Sequence, residues 1–403
     1  MEIDYLKSRK VLSYLVFLLT VTITLISLTS VLFPALIPRL ASSIGESSVN
    51  PFEPGVWAPH LLAANIILLG IGILYYTKNL PDVVLKSIRF VLDFEVSSKI
   101  AFITIAILLA LYIGFTVGEL STEEDWTDYI GVKAQAEKGI IENLVKNFNV
   151  KYSLLSFSLT ILHNIRIIPF VVSISLLVIT YFFTVKITKK RFAGLVSMVI
   201  LLQSHIFLEY DTTAAYENSW TLLYVLSLYL IYKKWYLSPL AFIFSVYAKG
   251  LTVLFLPMTI FAIYRSDLRL DKKIKTTIIY GVVAAVGVVF VASQFAFSIP
   301  DVSFDYYDFW SGFTLLPNHL RYEGIVILFL LPLIVALFML SKRGILVADS
   351  IMILIMGMLL HAPLLTGFTM HTNHPYRFVP LIVFFAIGVG IIFSKRIKTQ
   401  IVK

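Results

Sequence analysis

The 403-residue chain contains no cysteine, which excludes disulfide staples, thiol nucleophiles and every cysteine-ligated metal site. Charge is scarce as well: Asp, Glu, Lys and Arg make up 14% of the residues, against about 25% in an ordinary soluble domain. Such a chain has too little charge to clothe a water-facing surface. Its 58% hydrophobic content and mean hydropathy of +0.87 place it in a bilayer instead. Internal repeats, low-complexity tracts and a separate polar domain are also missing. The formal net charge of +9 raises the possibility of a nucleic-acid partner. The bases, however, fall in short clusters between apolar runs, as they do in cytoplasmic loops, so no nucleic acid is expected.

What is present is apolar sequence, interrupted repeatedly. Runs near 11–33, 59–77, 100–117, 167–186, 192–208, 217–233, 237–249, 250–264, 276–296, 323–340, 345–361 and 378–394 predict an all-α polytopic membrane protein with about twelve transmembrane segments, eleven to thirteen being possible. The run from Val11 to Phe33 is too long for a signal-peptide core, and no A-x-A-like site follows it, so it reads as a retained helix. With Lys7, Arg9 and Lys10 cytoplasmic and every run crossing, most Lys and Arg lie inside and most acids outside. Both termini are then cytoplasmic. A single span over 237–264 would throw the basic segment RSDLRLDKKIK (265–275) outside, so two short passes or a re-entrant pair turning at Lys249-Gly250 fit better. The expected organisation is a pair of N-terminal helices with a basic amphipathic linker over 1–98, a helical bundle over 99–395 and a cytoplasmic tail over 396–403.

Three exterior segments carry the polar chemistry. The first, 118–166, opens with Glu119, Glu123, Glu124, Asp125 and Asp128 within ten residues. Carboxylates this close raise one another's pKa and can act as bases or bind cations; the plain alternative is a solvated acidic loop. Further along, Ile140, Ile141, Leu144, Val145 and Phe148 recur at helical spacing, which predicts an amphipathic helix lying in the interface. The second segment, Glu209 to Glu217, is a short turn. The third, Phe297 to Tyr322, mixes Asp301, Asp305 and Asp308 with aromatic residues. Aromatic belts are ordinary at membrane interfaces. Rings beside carboxylates also suit sugars, which offer C–H faces and hydroxyl donors.

Four stretches, taken in order, resemble the GT-C class of membrane glycosyltransferases, nearest the protein O-mannosyltransferases and aminoarabinose transferases and more distantly oligosaccharyltransferase catalytic subunits. They are EEDWTDYIGVKAQAEKG (123–139), RIIPFVVSISLLVITYFFTVKITKKRFAGLVSMVILL (166–202), VYAKGLTVLFLP (246–257) and HPYRFVPLIVFFAIGVG (374–390). The resemblance covers roughly residues 100–395. The chain departs from the pattern in having Glu123-Glu124-Asp125 where the family has a strict Asp-Glu pair. It also lacks the WWDYG signature of oligosaccharyltransferases, and with about nine residues after its last apolar run it is not expected to carry their large exterior domain. The resemblance implies a GT-C-like bundle that moves a sugar, with inversion, from a polyprenyl- or dolichyl-phosphate donor to an acceptor at the exterior face. That acceptor is a protein, a lipid or a glycan. Membrane lipids are the other expected partners, and a prokaryotic cell membrane is a better setting than the endoplasmic reticulum.

Such chemistry sets three tasks. A carboxylate must take the acceptor's proton, for which Asp125 or Asp128 comes first and Glu124 next. A cation must meet the departing phosphate: Arg377 is the leading candidate, followed by Lys249 and Arg166. The plainer alternatives are that Arg377 anchors a helix end and that Arg166 snorkels. Asp211, Glu217, Tyr129, Asp305, Trp310 and His374 are the candidates for holding the sugar or acceptor. His371 and His374 have a spacing that metal ligands use, but a polar loop explains them more simply. No tightly bound cofactor is expected; a divalent cation is possible and is not predicted. A transporter, a lipid flippase and a non-catalytic subunit on the same scaffold are the competing readings.

Overall fold

The computed structural model describes residues 2–37, 50–126, 128–147, 149–214, 217–294, 303–314, 316, 320–369 and 375–394. Among them every regular element is helical and none is a strand. In chain order the helices are α1 (Glu2–Leu32), α2 (Ala58–Tyr76), α3 (Asp82–Asp93), α4 (Ser98–Thr116), α5 (Tyr129–Glu137), α6 (Val150–Ile161), α7 (Ile167–Thr188), α8 (Arg191–Leu202), α9 (His205–Glu209), α10 (Glu217–Lys233), α11 (Ser238–Ala248), α12 (Leu256–Arg265), α13 (Leu270–Gln294), α14 (Tyr306–Ser311), α15 (Gly324–Lys342), α16 (Val347–Thr369) and α17 (Val379–Ile392).

Local chemistry sets many of their ends. The side-chain oxygens of Ser97, Asn149 and Ser204 accept from the amides of Ile100, Tyr152 and Phe207, each satisfying a donor that the first helical turn leaves open. Proline occupies the first turns of α2, α11, α12 and α17, where its missing N–H costs nothing. Helix α7 stops where Lys189 turns left-handed at φ 60°. It is followed closely by α8, and the two pack against each other through Gly194: a Cβ there would lie 2.6 Å from Val185 Cγ2 and 2.9 Å from the Tyr181 carbonyl.

Seven of these helices are long and apolar enough to cross a membrane, at 10–32, 58–76, 98–121, 167–188, 324–342, 347–368 and 375–392. They coincide with seven of the predicted runs and are consistent with an integral membrane protein. The other five runs look different. Residues 192–208 divide into α8 and the short α9, and twelve residues of α-helix reach about 18 Å, well short of a roughly 30 Å hydrocarbon core. Helix α10 has 17 residues and α13 has 25. The stretch at 237–264 breaks at Lys249, which is extended at φ −151° and ψ 109°, and continues as a 3₁₀ helix from Gly250 to Phe255 before α12.

The chain folds into two compact units, one of residues 1–94 with 297–403 and the other of residues 95–296. In the first, α1 packs on α15 and α16, and α2 packs on α15, so the N-terminal helices set apart in the sequence belong with the C-terminal ones. Ser13 Oγ donates to Asp349 Oδ2 at 2.8 Å and Ser341 Oγ donates to Ser13 Oγ at 3.0 Å, fixing the register of α1. Helix α17, buried along nearly its whole length, fills the centre. In the second unit α7, α8, α10 and α11 form successive packed pairs, and α4 lies against α8.

The amphipathic helix predicted near 140–148 takes another form. Residues Glu142–Lys146 make a single π turn, closed by Asn147 N–H to Glu142 C=O at 3.2 Å. The cause is Asn143, fully buried, whose Nδ2 donates to Gln135 C=O at 2.8 Å and to Ser156 Oγ at 3.0 Å. Ile141, Leu144 and Val145 still face outward, while Phe148 lies outside the described residues.

The charge pattern makes a direct topological prediction. Ser121 and Asn79 are both exposed, and the chain offers no background thiols. In intact cells Ser121→Cys should react with an impermeant maleimide, whereas Asn79→Cys should react only after permeabilisation. The opposite pattern would invert the orientation.

Candidate active site

The first long loop is built from the end of α4 outward. Helix α4 tightens into a 3₁₀ turn over Val117–Ser121, which brings the Glu119 and Thr122 carbonyls to the start of α7. Arg166, at the N-cap of α7, is positioned by its neighbour Asn164. The Asn164 Oδ1 accepts from Arg166 N–H at 2.8 Å, and its Nδ2 donates to Leu120 C=O at 2.6 Å.

From that point the guanidinium fans out. Nη1 donates to Glu119 C=O at 2.6 Å, to Thr122 C=O at 3.0 Å and to Thr122 Oγ1 at 2.7 Å. Nη2 donates to Thr212 Oγ1 at 2.7 Å, and Thr212 passes a hydrogen bond on to Glu119 Oε2 at 3.0 Å. The carboxylates of Glu119 and Glu124 each approach the guanidinium at 3.7 Å. Arg166 is buried; its two terminal nitrogens bond protein, while Nε has no hydrogen-bond partner and faces Glu124 Oε1 at 3.7 Å. A guanidinium engaged in this way is a clamp on the loop, and it has little left to offer a donor phosphate.

Glu124 is the other half of the clamp. Its side chain is 1% exposed, and its carboxylate accepts from the Ala214 amide at 2.9 and 3.1 Å and from Trp126 Nε1–H. Burial pushes its pKa up, and the bonds from Trp126 and Ala214 and the charge of Arg166 pull the other way. Asp211 lies on the same turn and is fully buried. Thr116 Oγ1 donates to its Oδ2 at 3.4 Å, and Ser173 Oγ donates to its carbonyl at 2.6 Å. Its pKa is raised to about 7, first by burial and also by the charge of Glu119, against the lowering effects of Tyr112, Thr116 and Arg166. Three segments far apart in sequence, 116–124, 166 and 211–214, therefore form one polar network.

The remaining first-loop acids stand outside that network. Asp125, the residue after Glu124, is exposed, and so is Asp128, which begins α5 without bonding its amides. Tyr129 is packed into an apolar cluster with Val132, Ala136, Leu155, Ile165 and Ala214, with Trp126 against it, so its ring supports the loop. Lys249 is half-buried, with Nζ 5.4 Å from the Trp220 ring centroid. The Glu217 side chain, His371 and His374 lie outside the described residues.

Arg377, Asp305 and Trp310 belong to the other unit. Arg377 sits half-buried in the 3₁₀ turn Pro375–Phe378 that leads into α17. Asp305 caps α14, its Oδ1 accepting from the amides of Tyr307 at 2.7 Å and Asp308 at 2.9 Å, so that oxygen is committed to the fold. Trp310 is half-buried among Tyr306, Phe309 and Phe313, while the Tyr306 and Tyr307 rings are exposed. Among the described residues no group of three or more His, Asp or Glu side chains is arranged to hold a metal ion.

Nothing in the sequence marks Thr116, Thr122, Asn164 or Thr212 as part of the network. A threonine or asparagine in a short turn looks the same whether it bonds water or an arginine. Compared with protein-family models, curated proteins and solved structures, the chain matches none.

The raised pKa of Asp211 has a signed consequence. Its folded-state pKa of about 7 lies above the ordinary 3.8, so the folded protein holds a proton that the unfolded chain has lost between those values. Stability should therefore fall as pH rises from about 4 to about 7 and level off above. Asp211→Asn should flatten that part of the profile in thermal unfolding across pH. An unchanged slope would show that Asp211 does not titrate there.

Proposed function

We propose that the chain is an inverting glycosyltransferase that moves a sugar from a polyprenyl-phosphate donor to an acceptor hydroxyl at the membrane's exterior face. This reading keeps about twelve membrane segments with both termini cytoplasmic, α8 and α9 crossing together as one segment. The membrane is a prokaryotic cell membrane. The acceptor oxygen attacks the anomeric carbon, the bond from that carbon to the phosphate oxygen breaks, and polyprenyl phosphate leaves. Asp125 takes the hydroxyl proton, with Asp128 as the next choice, and a cation must meet the charge that builds on the phosphate.

The observation that carries this reading is the division of labour between adjacent acids. Glu124 is buried and tied to Arg166 and Ala214, while Asp125 is left exposed on the backbone that Glu124 fixes. A general base needs both properties, a held position and an open carboxylate. The loop also begins at the end of an apolar helix, where the head group of a lipid-borne donor would lie. Glu124 and Arg166 then act as positioning residues.

A transporter or flippase reading rests on a different feature. Helix α11 is interrupted by an extended Lys249 within an apolar stretch, and broken helices with embedded charge are frequent at transport sites. A non-catalytic subunit would keep the same scaffold with no role for the open carboxylate.

Assay of the purified protein in nanodiscs, with a polyprenyl-phosphate sugar and a membrane extract as acceptor source, separates these readings. Asp125→Asn should lower release of polyprenyl phosphate at least about a hundredfold and leave donor binding nearly intact. Arg377→Gln should lower turnover roughly a hundred- to a thousandfold, with Arg377→Lys retaining part of it. Full turnover in folded Asp125→Asn and Asp128→Asn would exclude both acids as the base. Absence of turnover in the wild-type protein, with transport abolished by Lys249→Gln, would favour the transporter.

A further inference from the structure

Helix α3 is strongly amphipathic, yet none of its residues is buried. Its residues divide into three strips. Leu85, Ile88 and Leu92 are half-buried. Val83, Val84, Phe90, Val91 and Phe94 are exposed, Val83 and Phe90 at 76% and 70%. Asp82, Lys86, Arg89 and Asp93 recur at spacings of four, three and four, which puts them on one helical stripe. Exposed aliphatic and aromatic surface of this extent on a helix demands a cover.

The chain itself limits what that cover can be. Helix α2 ends at Tyr76, and Asp82 begins α3 after five connecting residues, which span at most about 18 Å when fully extended. Helix α2 is itself a membrane-span candidate with only 11% of its apolar window buried, and Ile66, Ile67, Ile71 and Ile73 on it are exposed. The exposed strip of α3 is therefore tethered beside the face at which a lipid-facing span emerges. A shallow groove runs where the apolar strip meets the charged one, lined by Lys86, Arg89, Phe90, Asp93 and Phe94. There two cations stand beside two phenyl rings, an arrangement suited to the phosphate and the first acyl methylenes of a phospholipid.

We infer that α3 lies in the membrane surface as a lipid-binding helix, with Val83, Phe90 and Phe94 among the acyl chains and Lys86 and Arg89 at the phosphates. The charged stripe carries two acids and two bases, so it matches zwitterionic head groups and does not require anionic ones. Apolar burial supplies the attraction. This site is independent of any glycosyl transfer.

The absence of cysteine makes the test clean. Single variants Val83→Cys, Phe90→Cys, Lys86→Cys and Arg89→Cys of the full chain, each carrying a nitroxide, are reconstituted in phosphatidylcholine nanodiscs. Accessibility to oxygen and to a water-soluble nickel chelate is then read by electron paramagnetic resonance. The expected result is high oxygen and low nickel accessibility at 83 and 90 and the reverse at 86 and 89. The pattern should be unchanged when a third of the lipid is phosphatidylglycerol. High nickel accessibility at all four positions would place the helix in water, and low accessibility to both reagents at 83 and 90 would mean that protein covers it. Either result overturns the proposal. A membrane pattern seen only with phosphatidylglycerol would overturn the assignment to zwitterionic head groups.

Discussion

The guanidinium of Arg166 is the constraint on which the loop's structure depends. It sits at the start of α7 and reaches both the 3₁₀ end of α4 and the turn after α9. Glu124 completes the link from the opposite side by accepting the Ala214 amide. The consequence is geometric: once residues 119–124 are held from two directions, the next residue, Asp125, has little freedom in where its backbone can lie.

Such a network is costly to assemble. A buried ion pair gains little net stability over an apolar replacement, because both ions must give up water. Leaving either partner alone is worse, at about 3–5 kcal/mol, since an uncompensated charge then stays buried. Here the burden is lowered by bonding both terminal nitrogens: the threonines at 122 and 212 and the carbonyls of 119 and 122 accept from Nη1 and Nη2. Asp211 meets the same problem differently, with a pKa near neutrality that lets it shed charge. A site that keeps charged groups dry and fixed is the preorganised setting that polar catalysis requires.

The sequence displayed a large part of this and concealed the rest for definable reasons. Seven long apolar runs became seven long apolar helices, because continuous hydropathy over 18 residues or more admits little else. The break at Lys249 was visible as a charge beside glycine in an apolar stretch. The run at 192–208 has the same hydropathy signal but splits, since Ser204 caps a new helix within it. The π turn at 142–146 was hidden because Asn143 points inward, and periodicity places polar residues outward by default. Which of three consecutive acids turns inward was hidden too. Glu123 pairs with Lys133, Glu124 with Arg166, and Asp125 stays in the open, a choice made by partners up to 90 residues away.

The most direct test of this account is amide hydrogen exchange in wild-type and Arg166→Met protein. If the guanidinium joins the two segments, protection at residues 119–124 and at 211–214 should fall together, with the Ala214 amide among the first to exchange. The α10–α11 core around Tyr224 and Phe242 should keep its protection. Loss of protection in one segment without the other, or in neither, would contradict the claim that Arg166 holds the loop.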